Sequence, residues 1–502
     1  MFTLDAGVNN YNNDYYLYLA PGFNLGDGED WGLSFQIPLN LLIKDNEPYD
    51  PKAKFGKVRT VDYDERSDYQ RLLNYLWFGN YGVYEPGKVT FSFYIGKMFD
   101  GKIGHGTIIN RYVNNQRIEN YKLGVMADVN TDYGGLQVFT NSVWKQEVNA
   151  GRAYIRPYGV LSGLYHAIRG NSSNVVMIMP GNVMDEAGRK RVIEEVENED
   201  LKKTERKQTE PKKEEKKEPP KKRSAIPVRV GGFDPNSIWN RFAIGLTSAV
   251  DGRAPYTLDY DTTGHAKLDK YMNPGLKETR RAGVVGVDLE FALINTRSIT
   301  LMPYADFNRM RRLDNAKGQH YGVIFKIGNK NVNLTIKPEY RRMTPTYLPM
   351  YFDSFYEVER YQYDLDREIP LTKYAYAEDQ DGFAEKVKGY YHTLIFNYYK
   401  LGIEATYEDY DGKDNSRVFL GAYIPLGSYI LLSGFYTKKG FNGTGEAFKV
   451  DDKSQGVGEV AVTLGPLILR VQNRRRWVLD EETNKYKAKD EKMVLFSGGK
   501  SF

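Results

Sequence analysis

The amino-acid sequence predicts an all-β fold, and within that class a transmembrane antiparallel up-and-down β-barrel of about 18 strands, in a range of about 16 to 20. Two observations carry this prediction. Apolar residues repeat with a period of two along segments of about 8–11 residues, the length that a tilted strand needs to cross a bilayer. The connections between these segments alternate between short and long, as the two sides of a membrane barrel require.

The period-two segments run through most of the chain. In the first clear case, Trp31, Leu33 and Phe35 alternate with small or polar residues. Comparable segments follow at 89–96, 123–130, 242–250, 285–293, 300–307, 322–327, 332–339, 391–398, 401–407, 418–425, 429–435, 457–464, 467–476 and 493–502. Strands of soluble proteins average about 5–6 residues, so these lengths favour a membrane barrel over a soluble sandwich.

The connections supply the second observation. Short turns are expected at 131–135, 295–298, 328–331, 398–400, 426–428 and 465–467. Longer connections are expected between them at 99–120, 251–282, 311–319, 343–389, 409–416, 438–456 and 478–492. A soluble sandwich has no reason to keep this order, whereas a barrel with short periplasmic turns and long outer loops does.

Domain boundaries follow from the same pattern. We expect residues 1–14 to form an N-terminal periplasmic segment and residues 15–502 to form the barrel. Two long segments, 44–88 and 160–238, fall on the short-turn side and break the alternation. We therefore interpret them as inserts that lie on the periplasmic side or plug the pore.

The net charge is concentrated in one segment. The 502 residues carry a formal charge of +5, and residues 201–223 alone hold eleven basic and five acidic residues, a net of +6. This linker is poor in apolar residues and contains prolines, so it is predicted to be disordered. The remaining chain is close to neutral, which argues against a nucleic-acid surface. Residues 185–223 could bind a periplasmic partner or act as a solvated spacer.

The polar faces of the predicted strands supply candidates for the pore lining. A water-filled lumen needs charged and polar side chains, and basic and acidic walls would orient charged solutes. The candidates are Asp288, Glu290, Lys337, Glu404, Arg470, Gln472, Arg474 and Arg476. Asp288 and Glu290 share one strand face about 7 Å apart, so acid–base chemistry is an alternative, but lumen lining is favoured.

Aromatic residues, 14% of the chain, fit a membrane barrel in two places. At predicted strand ends, where interfacial girdles are expected, the candidates are Trp31, Tyr398, Tyr399, Tyr429 and Trp477. The longest outer loop, 343–389, holds ten aromatic and ten acidic residues. It could fold inward as a constriction, stack sugars, bind Ca²⁺ near Asp379 and Asp381, or form a surface lid.

The sequence offers little for catalysis or metal binding. Cysteine is absent, and the five histidines, at 105, 166, 265, 320 and 392, include no pair at HExxH or HxH spacing. We therefore expect no metal, no cofactor and no enzymatic activity. The glycines around His105 do not follow a βαβ pattern, so they are expected to shape a loop rather than to cradle a phosphate.

Two stretches carry a resemblance to known proteins. The C-terminal MVLFSGGKSF, with Val494, Phe496 and Phe502 in phase, resembles the assembly signal of Gram-negative outer-membrane barrels, although Lys500 stands where Tyr is common. Residues 103–115 (IGHGTIINRYVNN) and the following YKLGVMADVNTDYGG resemble an uncharacterised group of outer-membrane proteins from spirochaetes and myxobacteria. That resemblance covers about residues 31–160 and implies location and fold, with no functional residues.

These observations predict an integral protein of the outer membrane, a porin-like channel for passive diffusion of small polar or charged solutes. Its expected partners are outer-membrane lipids, the barrel assembly machinery and those solutes. The alternative is a non-transport surface adhesin or envelope scaffold that uses the outer loops and the Lys/Glu linker. The chain opens without a secretory signal, which is expected either of a cytosolic protein or of a mature form restarted with Met.

Overall fold

In the described part of the chain, 22 β-strands joined by antiparallel pairing form one sheet in the computed structural model. The structure describes residues 2–11, 14–28, 30–46, 54–115, 121–168, 234–269, 273–364, 367, 369–380, 386–465, 467–480 and 483–500. At residues 10, 11, 166–168, 476, 499 and 500 it describes the backbone alone.

Nine strands precede residue 160: β1 Phe2–Tyr11, β2 Asp14–Gly26, β3 Trp31–Gln36, β4 Leu39–Lys44, β5 Leu73–Phe78, β6 Thr90–Gly96, β7 Gly124–Asn130, β8 Gly134–Thr140 and β9 Val148–Ile155. Those that follow are β10 Phe242–Leu258, β11 Leu276–Phe291, β12 Ile294–Asn295, β13 Ile299–Arg311, β14 Lys317–Gly328, β15 Val332–Met343, β16 Val387–Tyr398, β17 Leu401–Tyr410, β18 Ser416–Leu426, β19 Ile430–Phe441, β20 Ser454–Leu464, β21 Leu467–Asp480 and β22 Lys485–Lys500.

The helices are α1 Pro157–Ile168, α2 Tyr356–Glu359 and α3 Lys373–Asp379, with 3₁₀ turns at Thr60–Asp62, Arg66–Leu72, Ile238–Arg241 and Thr444–Glu446. Within the residues that the structure describes, no helix has the length and apolar character needed to cross a membrane.

The sheet closes on itself. We call each strand position around the barrel a stave. β3 and β4 pair with successive halves of β2 and together fill one stave, as β11 and β12 do against β13. β1 pairs with β2 on one side and with β22 on the other, from Phe2 opposite Lys500 to Val8 opposite Val494. The result is a closed antiparallel barrel of 20 staves, which confirms the predicted all-β, antiparallel up-and-down barrel.

The expected count of about 18 strands is two short. β1 lies in the segment 1–14 that was expected to precede the barrel, and β5 lies in the expected insert 44–88. Leu73–Phe78 reads LNYLWF, six residues that are almost continuously apolar, so it lacks the alternation that marks a strand. β1 does alternate, with Phe2, Leu4 and Val8 on one face, so its signal was present in the sequence.

The two ends of the barrel carry different connections. Phe2 and Lys500 lie at one end, which we call the turn end because its connections include 27–30, 131–133, 329–331, 399–400, 427–429 and 465–466. The opposite end, the loop end, carries 45–72, 97–123, 259–275, 344–386 and 442–453. With β5 in place, the connection 45–72 falls at the loop end and no longer breaks the alternation.

One long connection remains at the turn end as predicted, and one predicted loop is much shorter in the structure. The connection 156–241 remains a long exception at the turn end, and its residues 169–233, with the predicted linker 201–223 and partner segment 185–223, lie outside the described residues. The loop expected at 478–492 is instead a hairpin turn, because β21 continues to Asp480 and β22 begins at Lys485.

The outer face of the barrel exposes a band of apolar side chains that we call the outer belt. Leu246 pairs with Val287, which pairs with Phe307, and their side chains are 61%, 45% and 41% exposed. Further members are Leu4, Val8, Leu136, Val138, Tyr321, Ile336, Leu394, Val460, Val471, Val494 and Phe496. Large exposed apolar areas of this kind mark a surface that contacts lipid or protein.

The inner face shows the opposite pattern. Asp288 alternates with Val287 along β11, yet its side chain is buried, and so is the side chain of Asp306 on the neighbouring strand. Lys337 on β15 is buried in the same way. The barrel therefore places polar groups inside and apolar groups outside, which inverts the arrangement of a soluble protein.

Candidate functional site

Two connections from the loop end fold into the lumen. We call residues 97–123, between β6 and β7, the first inner loop, and residues 344–386, between β15 and β16, the second inner loop. The Asn110 amide donates to the Phe352 carbonyl at 3.2 Å, and the Phe352 amide donates to the Ile108 carbonyl at 3.2 Å. Of the alternatives considered for 343–389, the structure shows inward folding, with Asp379 paired to Arg367 at 2.5 Å.

An apolar core joins the two inner loops to the wall. Ile109 and Phe352 are completely buried, and the Phe352 and Tyr356 rings lie 4.9 Å apart between centroids. The core includes further residues from both loops and from the wall strands: Met98, Ile103, Ile108, Tyr112, Tyr351, Val148, Val284 and Met310. We call this packed body the plug. The segments 44–88 and 160–238 are predicted to lie on the periplasmic side or to plug the pore, and inward folding of 343–389 is one predicted alternative. Among the described residues, the loop residues of the plug come from the connections 97–123 and 344–386.

Two glycines shape the tip of the first inner loop. Gly104 and Gly106 have φ angles of +55° and +80°, in the left-handed region that glycine adopts without strain. A Cβ atom at Gly106 would lie 2.7 Å from Oδ1 of Asn110. The sequence IGHGT therefore makes a turn that presents the intervening histidine to the wall, in agreement with the predicted loop-shaping role.

His105, between those glycines, is held by two wall carboxylates. Its Nδ1 lies 2.8 Å from Asp306 and its Nε2 lies 2.9 Å from Glu290, while its carbonyl accepts a hydrogen bond from Lys337 at 2.5 Å. Burial opposes protonation of the ring, but the charges and hydrogen bonds of Asp306 and Glu290 outweigh it and raise the pKa of His105 to about 9. The imidazolium thus fastens the first inner loop to the wall at neutral pH.

Arg152 on β9 completes this cluster. Its Nε donates to Asp288 at 3.0 Å and its Nη2 donates to Glu290 at 3.2 Å. Ligand atoms of His105, Asp288 and Glu290 lie within 4.8 Å of one another, a spacing that could suit a metal ion. The guanidinium already bonds both carboxylates, however, and its positive charge opposes a second cation. The cluster is therefore arranged for charge pairing rather than for metal binding or acid–base catalysis.

Ion pairs join the two inner loops to each other. Lys122 of the first loop lies 2.6 Å from Glu357 of the second and 2.7 Å from Glu147, and Tyr112 also donates to Glu357. Burial opposes the charge on Lys122, but the two carboxylates raise its pKa above the usual range. Buried ion pairs of this kind leave an uncompensated charge when one partner is removed, so they hold the loops in a single arrangement.

The plug leaves part of the lumen open. A cavity of about 990 Å³ lies between the first inner loop and the wall formed by β1, β2 and β17–β22. Its charged lining includes Lys97, Asp100, Arg111, Glu404, Glu459 and Arg474. Its apolar lining includes Phe99, Phe419, Phe435 and Val457, and Phe99 is 69% exposed. This volume is at the upper end of the range for small-molecule pockets.

Arg111 marks the boundary between plug and cavity. Its Nη2 donates to the Glu404 carboxylate and, at 2.5 Å, to the Thr406 hydroxyl. Its guanidinium also lies 4.2 Å from the centre of the Phe419 ring. The bonds to β17 and the ring contact with β18 hold the edge of the plug against the cavity wall.

The predicted pore-lining residues differ in whether they are bonded to other groups or line the open cavity. Three face the lumen but are engaged by the plug or by Arg152: Asp288, Glu290 and Lys337. Three line the cavity: Glu404, Gln472 and Arg474. Arg470 shares the Gln472 face of β21 but does not line this cavity, and the side chain of Arg476 lies outside the described residues. β11 and β21 are the tenth and nineteenth of the 20 staves, so the acids of β11 and the arginines of β21 stand on nearly opposite walls of the barrel.

The five aromatic residues predicted to lie at the membrane interface fall into two groups. Four are exposed at the turn end: Trp31, Tyr398, Tyr399 and Tyr429. Trp477 is a correction, because it is 6% exposed, donates to the Asp452 carbonyl at 2.9 Å and packs 5.1 Å from the Phe355 ring. The extension of β21 at the loop end carries it into contact with the second inner loop and away from any interfacial belt.

The predicted assembly signal lies in β22. Val494 and Phe496 are 44% and 50% exposed on the outer face, and Phe502 lies outside the described residues. The residues that sequence reasoning missed are Lys97, Arg111 and Arg152. Lys97 and Arg111 lie in the first inner loop and Arg152 lies on β9. No spacing in the sequence links Arg111 to Glu404 or Arg152 to Asp288.

Comparison with known proteins leaves the family open. No protein-family profile and no curated sequence matches this chain. Among solved structures, the outer membrane protein opdK from Pseudomonas aeruginosa is 7% identical, with 99% of this chain and 97% of that chain covered at a TM-score of 0.30. A BenF-like porin from Pseudomonas fluorescens Pf-5 is 9% identical, with 99% and 96% covered at a TM-score of 0.30.

A third solved structure, a mutant of the ferric enterobactin receptor PfeA from Pseudomonas aeruginosa, is 7% identical, with 99% of this chain and 79% of that chain covered at a TM-score of 0.32. Likeness at these scores is too low to support an argument about fold or function. The barrel is established by its own strand pairing, and the resemblance to spirochaete and myxobacterial proteins stays a prediction.

Proposed function

We propose that the protein is an integral outer-membrane β-barrel that lets small polar or charged solutes diffuse through the part of its lumen that the plug leaves open. The observation that carries this proposal is the inversion of the barrel, with the outer belt exposed and polar groups buried inside. A closed barrel satisfies its backbone hydrogen bonds without water, so it can sit in hydrocarbon, and in bacteria such barrels belong to the outer membrane.

The plug makes the proposed channel a restrictive one. A barrel of 20 staves without internal loops would hold a wide aqueous channel. Here the inner loops pack against strands from β7 to β15, and the cavity of about 990 Å³ beside β17–β22 is the space left for a solute. Its lining carries both signs of charge, which supports polar or charged solutes without selecting one of them.

The test is single-channel recording of the purified full-length protein in planar lipid bilayers. We expect small ohmic steps for the wild type. We expect larger steps for Arg111→Ala, because loss of the bonds to Glu404 and Thr406 frees the edge of the plug. Thr300→Ala on β13, away from the cavity, is the matched control and should keep wild-type steps.

Gel mobility with and without boiling separates the failures. A protein that shifts on boiling but gives no steps in either form would be a membrane barrel without transport, the adhesin or scaffold alternative. A protein that neither shifts nor inserts would overturn the membrane placement itself.

A further inference from the structure

The barrel closes over only part of the seam between its first and last strands. Among the described residues, β1 and β22 pair from Phe2 opposite Lys500 to Val8 opposite Val494, and no further. Beyond that point, β22 continues for the nine residues 485–493, which pair with β21 on the other side. β1 itself continues past Val8 only to Tyr11, so at about 3.3 Å per residue about 10 Å of this edge faces β1 without a ladder, and the rest extends past the end of β1 at the loop end.

The large cavity reaches this unpaired seam. Val8 and Tyr15 lie on the outer face of the barrel, where they are 44% and 41% exposed, and both line the cavity. Asn9 and Met493, on the inner face at the same level, line it as well. Because residues of both the inner and the outer face of the barrel border this cavity, it opens laterally through the wall. The opening lies on the loop-end side of the outer-belt residues Val8 and Val494.

Inside, the cavity combines aromatic surface with a basic corner. The Lys97 ammonium lies 5.1 Å from the Tyr121 ring centre and has no carboxylate at ion-pair distance among the described residues. Burial, with the positive charges of Arg474 and Arg71, lowers the pKa of Lys97 to about 8. An anion placed there would relieve this repulsion. Phe99, projecting from the first inner loop, offers apolar surface beside it.

We infer that the cavity binds a single-chain amphipathic anion, a long-chain carboxylate, which reaches it from the outer leaflet through the seam between β1 and β22. The head group would lie at Lys97, and the apolar chain would run along Phe99 and Phe419 toward the opening at Val8. This inference rests on the membrane placement proposed above, and it adds a ligand and a lateral route that diffusion along the lumen does not require.

Binding is tested with the full chain in lipid nanodiscs and radiolabelled dodecanoate, with protein-free nanodiscs as the background. We expect saturable binding that excess unlabelled dodecanoate displaces and that neither acetate nor dodecyltrimethylammonium displaces. Lys97→Gln should weaken it by about tenfold, the size of one lost charge contact. Lys326→Gln, a lysine on β14 away from the cavity, is the matched control and should bind normally. Displacement by acetate, or unchanged binding to Lys97→Gln, would overturn the site.

The lateral route is tested by tying the seam. The chain has no cysteine, so the pair Asn9→Cys and Met493→Cys supplies two isolated thiols that a short bismaleimide can bridge. We expect the bridged form to take up dodecanoate about tenfold more slowly than its unbridged form, with similar affinity at equilibrium, because the opening narrows. The pair Asp5→Cys and Ser497→Cys bridges strands that are already paired and should leave uptake unchanged.

Equal uptake before and after bridging at residues 9 and 493 would assign access to the lumen and overturn the lateral route. Loss of the boiling-dependent gel shift in the wild type would instead contradict the membrane placement, so the two failures are distinguishable.

Discussion

His105 gives the plug a dependence on pH. Its pKa is raised to about 9 in the folded protein from an ordinary value of 6.5, so protonation is favoured by folding. The stabilisation it contributes is complete below about pH 6.5 and is lost as the pH rises through about 9. We expect amide exchange in residues 101–112, corrected for intrinsic rates, to become less protected across that window.

His105→Gln is the control for this prediction. The glutamine side chain cannot carry the positive charge. The amides of residues 101–112 in this variant should therefore be less protected from exchange than in the wild type at pH 6.5, and their protection should vary little up to pH 9. The other charged groups at the cluster, Glu290, Asp306, Lys337 and Arg152, are present in both proteins. Identical pH profiles for the two proteins would show that another group controls the plug.

The roles of single residues were the least accessible to sequence reasoning. The loop-forming role of Gly104 and Gly106 was predicted, because glycine pairs mark turns wherever they occur. The partners of His105 were not, since they lie 185 and 201 residues away along the chain. Contacts at that separation depend on the closure and register of the barrel, and a local pattern does not encode them.

At the scale of elements, the second inner loop should control conductance. Replacing residues 345–385 with a short Gly-Ser linker removes the plug contacts of Phe352, Tyr356 and Glu357 but leaves the β15–β16 ladder intact. We expect single-channel conductance to rise by about fivefold or more, because much of a wide lumen is then cleared. The boiling-dependent gel shift should persist.

The matched control shortens the connection 442–453, also at the loop end. Its Ala447 packs against Val418 and Phe441 rather than against the plug. That variant should conduct as the wild type does. An equal rise in both deletions would indicate a general loosening of the loop end, and no rise in either would show that the second inner loop does not block the route.

Strands and connections were predictable where apolar and polar side chains alternate along the strand, because each face of such a strand has the same surroundings along its whole length. β11 and β15 were found because outward-facing and lumen-facing residues differ in polarity. β5 escaped because its residues are apolar on both faces, and its loss also shifted the connection 45–72 to the wrong end. Inward folding of 343–389 was one of several alternatives, and the sequence did not choose among them or include residues 97–123, because the packing depends on contacts between two loops that are distant in the sequence.

For the whole molecule, the solvent around the outer belt decides the class of protein. Val287→Lys places a charge in the belt, which in a bilayer should lower the free energy of unfolding by about 2–4 kcal/mol. On a soluble protein the same exposed substitution would cost within about 0.5 kcal/mol. Denaturant unfolding in lipid vesicles measures the difference.

Ser433→Lys, in the wall of the cavity, is the companion variant, and its lysine faces the lumen. Ser433→Lys should lower the free energy of unfolding far less than Val287→Lys does if hydrocarbon surrounds the barrel. Equal and small losses of unfolding free energy in the two variants would mean that water surrounds the outer face. The closed barrel was predictable from the sequence because this contrast between the two faces repeats in nearly every stave.

The joining of the inner loops has a mechanical consequence. Counted round the ring of 20, the first springs from the fifth and sixth staves and the second from the thirteenth and fourteenth. Their hydrogen bonds at Phe352 therefore make a strut that ties distant arcs of the cylinder. Flattening the ring would stretch or break these contacts, so the strut opposes ovalisation of the barrel.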